Sequence, residues 1–156
     1  MKEIIKGITF QEYYLTIIRL SIFLDSLGLE HKKNTSENRL VLYDFYLKYP
    51  ELTSQDNPKF DFDTKYSYFH WKPNYKLYSA VLADLLGRGL ITYSDASKCY
   101  YITDAGRVFV SELNTTYIET VTELSKYVIK NICKLSEKAI VSDIDKTLLK
   151  KRSSLI

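Results

Sequence analysis

The stretch PNYKLYSAVLADLLGRGLITYSDASKCYYITDAG, Pro73 to Gly106, decides the fold, because its hydrophobic period changes along its length. Tyr78, Val81, Leu82, Leu85 and Leu86 recur at the i, i+3, i+4, i+7 spacing of one helical face, and Arg88-Gly89 closes the run where a glycine stop belongs. Pro73 suits the first turn of that helix, where its missing N–H is not needed. Leu90-Ile91-Thr92-Tyr93 and Tyr100-Tyr101-Ile102-Thr103 are then rich in β-branched and aromatic residues, which predicts two strands. Ser94 to Lys98 between them is a short polar turn. Thr103-Asp104 offers side-chain oxygens to cap a further helix carrying Val108, Phe109 and Leu113. Helix, strand, tight turn, strand, helix is the order of a winged helix with a two-stranded wing.

Outward from this unit the pattern is helical. Phe10 to Leu27 carries Tyr13, Tyr14, Ile17, Ile18, Leu20, Ile22, Phe23, Leu24 and Leu27, which cover far more than one face. Such a helix wants burial nearly all round, as the centre of a small domain or with part of it awaiting a partner chain. Glu30 to Asn38 is a polar connection, and Arg39 to Tyr49 is a second helix stopped by Pro50. Glu51 to Lys72 holds Pro58 and the aromatic cluster Tyr66, Tyr68, Phe69, His70 and Trp71. That cluster is read as a plug folding back on the core, with an anchor for a partner as the alternative. Beyond the wing, Asn114-Thr115-Thr116 marks a break before a helix reaching about Leu135. Its Tyr117, Val121, Leu124, Val128, Asn131 and Leu135 stand at heptad spacing. Fewer than three heptads favour ordinary helix packing, with a short contact to another subunit left open. Ser136 to Lys151 is a last amphipathic helix built on Ile140, Ile144, Leu148 and Leu149, with Lys150-Lys151-Arg152 as a solvated end. The expected fold is therefore mainly α (α+β), one domain over 1–156. It comprises N-terminal helices at 10–50, a winged-helix unit at 73–113 and a C-terminal helical extension at 114–156.

At 156 residues, 46% hydrophobic and 26% charged, the chain fits one ordinary globular core. Glu12, Arg19 and Asp25 interrupt the apolar N-terminal run, so no membrane span is expected, and Leu24 to Gly28 has no signal-cleavage pattern. Cytoplasmic residence follows. Cys99 and Cys133 are isolated from each other and from any histidine, which predicts reduced, buried thiols rather than a metal site. The net charge of +3 lies wholly beyond Leu113, where 8 basic residues face 5 acidic ones. Such a charge is too small to imply nucleic acid by itself.

Catalytic constellations are lacking in the sequence: His31 and His70 are the two histidines, and there is no GxSxG, HExxH or phosphate-cradling glycine loop. Asp61 with Asp63, and Asp143 with Asp145, read as surface charges. No enzyme, metal or cofactor is expected. The winged helix raises DNA binding, so the outer face of its helix is the test. That face carries Lys76, Ser79, Ala80, Ala83, Asp84 and Gly87, without the Arg, Asn or Gln that read base edges. Lys72, Lys76, Arg88 and Lys98 remain as weak, salt-sensitive phosphate contacts. Smooth, small-residue surface flanked by aromatics suits protein packing better, and a DNA-binding transcriptional regulator is the second reading.

The segments LVLYDFYLKYPEL (Leu40 to Leu52), FHWKPNYKLYSAVLADLLGRGLI (Phe69 to Ile91) and YYITDAGRVFVSEL (Tyr100 to Leu113) resemble the middle component of bacterial ABC-three-component systems. That group includes the accessory subunit of Lamassu-type antiphage defence complexes. The resemblance runs over about residues 10 to 135 and implies a noncatalytic winged-helix subunit that binds an SMC-like ABC ATPase. It leaves a nuclease effector open as a further partner, with DNA reached indirectly or weakly through the complex. Phe69, Trp71, Tyr75, Tyr117, Val121, Leu124, Val128 and Leu135 are the candidate protein interface.

Overall fold

The computed structural model describes residues 10–28, 33–50 and 73–155, the last six as backbone only. Among them run α1 (Phe10–Leu27), α2 (Glu37–Lys48), α3 (Tyr75–Gly87), β1 (Ile91–Ser94), β2 (Cys99–Ile102), α4 (Asp104–Ser111), α5 (Thr116–Asn131) and α6 (Glu137–Leu155). The chain is thus mainly helical with one two-stranded antiparallel sheet, an α+β protein.

Helix α1 is central, touching α2, α3, α4, α5 and β2. Leu20, Phe23 and Leu24 enter the main core with Leu40, Tyr43 and Leu47 of α2, Val81, Leu82 and Leu85 of α3, and Val128 of α5. Ile18 and Ile22 serve a second, smaller cluster with Val121, flanked by Val110, Leu113 and Ile118. Two clusters on different sides of one helix explain why its apolar residues exceed a single face. Ile140, Ile144 and Leu148 seat α6 against the main core, whereas Leu149 is exposed and the helix continues through the basic triplet to Leu155.

Local chemistry sets the helix ends. Ser36, Asn74, Thr103, Thr115 and Ser136 each accept the backbone N–H three residues on, at 3.4, 3.2, 3.0, 3.3 and 3.1 Å. Each such cap is worth about 1 kcal/mol. Helix α2 therefore begins at Glu37, inside the stretch expected to be a connection, and Pro73 precedes the Asn74 cap instead of entering the first turn of α3. The end of α3 is a Schellman turn: Leu90 N–H reaches the Leu85 carbonyl and Gly89 N–H the Leu86 carbonyl, both at 3.0 Å, with Gly89 at φ +72°.

The strands pair from Ile91↔Ile102 to Ser94↔Cys99. Their turn is shorter than the expected Ser94–Lys98, since Ser94 joins β1 and Lys98 N–H closes on the Ser94 carbonyl at 2.7 Å. Thr35, just before α2, lies along the free edge of β2: its carbonyl accepts Tyr100 N–H at 3.1 Å and its hydroxyl donates to the Tyr100 carbonyl at 2.6 Å. The Ile102-Thr103-Asp104-Ala105-Gly106 run then joins sheet to helix. Thr103 donates its hydroxyl to the Gly89 carbonyl at 2.7 Å and its N–H to the Leu90 carbonyl at 3.1 Å. A Cβ on Gly106 would overlap the Leu90 carbonyl oxygen and stand 2.6 Å from Ile102 Cδ1, so only glycine fits. Leu113 lies beyond α4, and Val108 is exposed.

Candidate functional site

A buried polar network, absent from the expectations, links four helices. Arg19 of α1 donates through Nε to Asp44 Oδ1 at 2.8 Å and through Nη2 to Asp44 Oδ2 at 3.0 Å, the bidentate geometry that suits a guanidinium. Nη2 also reaches Thr16 Oγ1 at 3.0 Å, and Nη1 the Tyr117 hydroxyl of α5 at 3.3 Å. Tyr78 of α3 donates to Asp44 Oδ2 at 2.6 Å. Arg19 and Asp44 are 3% and 0% exposed, so each charge depends on these partners. Burial pulls the Arg19 pKa down, but Asp44 reverses that and holds it above its ordinary value. Burial, then Asp44, keeps the Tyr78 hydroxyl neutral.

Two more Tyr–Asp pairs stitch helices together. Tyr13 of α1 donates to Asp84 Oδ2 of α3 at 2.9 Å, with the Ala80 carbonyl 3.2 Å away, and Tyr46 of α2 donates to Asp143 Oδ2 of α6 at 2.5 Å. Burial, then Asp84, pushes the Tyr13 pKa up to about 12. Asp84 also accepts from Arg88 Nε at 2.5 Å, and that bond, with burial opposing, holds the carboxyl below its ordinary value.

The Tyr13 contact rotates the exposed face of α3 away from the one expected. Ala80 and Asp84 are half-buried beneath α1, Leu77 is buried, and Leu86 is 38% exposed instead of joining the core. The surface left open is Tyr75, Lys76, Ser79, Ala83, Leu86 and Gly87. Of the phosphate candidates, Lys76 and Lys98 are exposed, Arg88 is exposed but engaged by Asp84, and Lys72 lies outside the described residues.

Of the interface candidates, Tyr75 is 54% exposed and Tyr117 37%, the latter with its hydroxyl on Arg19. Val121, Leu124 and Val128 are at most 8% exposed and pack inside their own chain, and Leu135, beyond the end of α5, is half-buried against the main core. Phe69 and Trp71, like His31, His70, Asp61 and Asp63, lie outside the described residues. Phe10 and Tyr14, stacked at 6.4 Å on the first turns of α1, are exposed aromatics, whereas the apolar density of that helix predicts burial nearly all round.

A second buried cation stands at the end of α5. Arg39 donates through Nε to the Tyr43 hydroxyl and through Nη2 to the Cys133 carbonyl, both at 2.8 Å, so its charge meets the carbonyl end of a helix. Tyr43 donates its own hydroxyl to the Asn34 carbonyl at 2.9 Å. Burial raises the Cys133 thiol pKa, with Tyr43, Lys33 and Arg39 opposing. Cys99 and Cys133 are both buried free thiols, as expected. Among the described residues no three His, Cys, Asp or Glu side chains gather as metal ligands, and no helix is long and apolar enough to cross a membrane. The buried Arg19, Arg39 and Asp44 were not identified from sequence. The available signal was Arg19 inside an apolar run and Asp44 between Tyr43 and Phe45, since such groups are rarely buried unpaired.

The family described as ABC-three component (ABC-3C) system Middle Component 2 matches residues 18–153. No curated protein and no solved structure matches the chain.

Proposed function

The chain belongs to the ABC-three component system Middle Component 2 family, and from that premise we propose that it is a noncatalytic, cytoplasmic accessory subunit that docks on an ABC ATPase of its own system. The family match carries the reading, because it runs from within α1 to the last turns of α6 and so takes in most of the helical scaffold. The proposed ATPase is SMC-like and the system an antiphage defence of the Lamassu type. ATP hydrolysis and any DNA cleavage belong to other chains, including a nuclease effector.

The proposed fold for this role is a winged helix, with α3 in the place of a recognition helix and β1–β2 as the wing. Supporting it, Thr35 binds the edge of β2 between α1 and α2, where a winged helix has its first short strand. The open face of α3 presents a tyrosine, a leucine and small side chains with Lys76, a composition suited to protein packing and poor in groups that read base edges. A tagged chain expressed with its neighbouring genes is expected to copurify with an ABC-type ATPase. Recovery of the chain alone, together with nanomolar, sequence-specific duplex binding, would instead establish a transcriptional regulator.

A further inference from the structure

We infer that the surface where the start of α2, the outer face of α3 and the β1–β2 hairpin meet receives an arginine side chain of a partner polypeptide, its guanidinium against the Tyr93 and Tyr100 rings and paired with Glu37. This deepens the accessory-subunit reading and rests on it for the existence of a partner, naming the chemistry of one contact.

The backbone brings the pieces together. Ile91 and Tyr93 share one side of β1, and Ile102 and Tyr100 the matching side of β2, because side chains alternate along a strand. Ile91 and Ile102 are buried in the main core and Tyr100 is half-buried against it, so the same face opens to solvent at Tyr93. Their rings lie 4.8 Å apart between centroids and 54° from parallel, with Tyr93 39% exposed. Thr35 is bonded to both backbone groups of Tyr100, through its carbonyl and its hydroxyl, and Glu37 is two residues further along the chain. Glu37 Oε2 in turn accepts from Ser79 of α3 at 3.2 Å. The Tyr100 hydroxyl, raised first by burial and then by Glu37, lies within electrostatic range of that carboxylate.

The charge of this surface selects its occupant. Glu37 makes no ion pair with a described residue, although Lys76 stands one helical turn before Ser79 on the exposed side of α3. A carboxylate held by Ser79 of α3 and within electrostatic range of the Tyr100 hydroxyl favours a cation and repels phosphate. Arginine fits better than lysine because its flat guanidinium both stacks and donates in a fork.

The test is an NMR titration of the full-length chain, following the Tyr93 and Tyr100 ring resonances. The probes are N-acetyl-arginine amide, its neutral isostere N-acetyl-citrulline amide, and a short oligothymidylate. Saturable shifts with the arginine amide alone are expected. Tyr93→Leu should weaken binding about tenfold while Tyr93→Phe retains it, since the ring and not the hydroxyl is used. Glu37→Gln should weaken binding about threefold. Equal shifts with citrulline, the same shifts with oligothymidylate, or no saturable shift would each overturn the inference. A null titration alongside successful copurification with the ATPase removes the arginine site and leaves the accessory reading standing.

Discussion

Arg19 and Asp44 clasp each other across α1 and α2 through bonds of 2.8 and 3.0 Å, with neither side chain open to solvent. A buried pair of this kind need not exceed well-packed apolar residues in stability, but removing one member strands the other's charge in the core. Asp44→Ala is therefore expected to lower unfolding free energy by about 3–5 kcal/mol in chemical denaturation. The double change Arg19→Met with Asp44→Leu should lose less than Asp44→Ala alone. An Asp44→Ala chain with an unchanged denaturation midpoint would show that the network contributes nothing.

Two glycines separate steric from conformational demand. Gly106 has no room for a Cβ, so Gly106→Ala should cost about 1–3 kcal/mol through forced movement of the Leu90 backbone. Gly89 has open space but a left-handed backbone at φ +72°. Gly89→Asn should accordingly retain more stability than Gly89→Val, because asparagine tolerates that region and a β-branched residue does not. Thermal denaturation of the three variants checks both positions.

The stretch from Asn74 to Gly106 was legible in sequence because its determinants are local: a helical period, a glycine stop, a strand pair and a threonine cap. The orientation of α3 was not. Tyr13, far away in sequence, covers Ala80 and Asp84, and its placement turns Leu77 inward and Leu86 outward. The same limit hid the network, since Arg19 reads alone as an interruption of an apolar helix and meets Asp44 only when α1 and α2 pack. Heptad spacing in α5 likewise reports a buried stripe without saying whose core it enters. Val121, Leu124 and Val128 enter their own.

Tyr13 and Asp84 give the fold opposite sensitivities at the two ends of the pH scale. Tyr13 has a folded pKa of about 12, above its unfolded value, so its neutral form is the one the fold prefers. That contribution is complete below the unfolded tyrosine pKa, about 10, and is lost as pH rises toward the folded value. Asp84 is displaced the other way: its stabilisation is present above the unfolded carboxylate pKa, about 3.9, and disappears as pH falls through its lower folded value. Tyr13→Phe should flatten the alkaline limb of a stability–pH curve. Asp84→Asn should flatten the acid limb and soften the alkaline one, because it removes the titrating carboxylate and the negative charge beside Tyr13 while its amide oxygen can still accept the hydroxyl. Unaltered limbs in both variants would mean that the Tyr13–Asp84 bond does not persist in solution.

Burial also divides the interface candidates by experiment. Val128→Ala removes packing at a fully buried position and should destabilise the free chain by about 2 kcal/mol, lowering complex yield only through loss of folded subunit. Tyr75, 54% exposed at the start of α3, has little to lose in the free chain, and Tyr75→Ala should leave its stability within about 0.5 kcal/mol. If the open face of α3 meets the ATPase, that same change should weaken copurification, as truncation of an interface tyrosine does by about 1–2 kcal/mol or more. Tyr117→Phe tests the intermediate case, since it removes the hydroxyl that Arg19 reaches while keeping the exposed ring. Its expected result is a modest loss of stability with copurification unchanged. Normal copurification of a folded Tyr75→Ala chain would place the ATPase contact away from this residue.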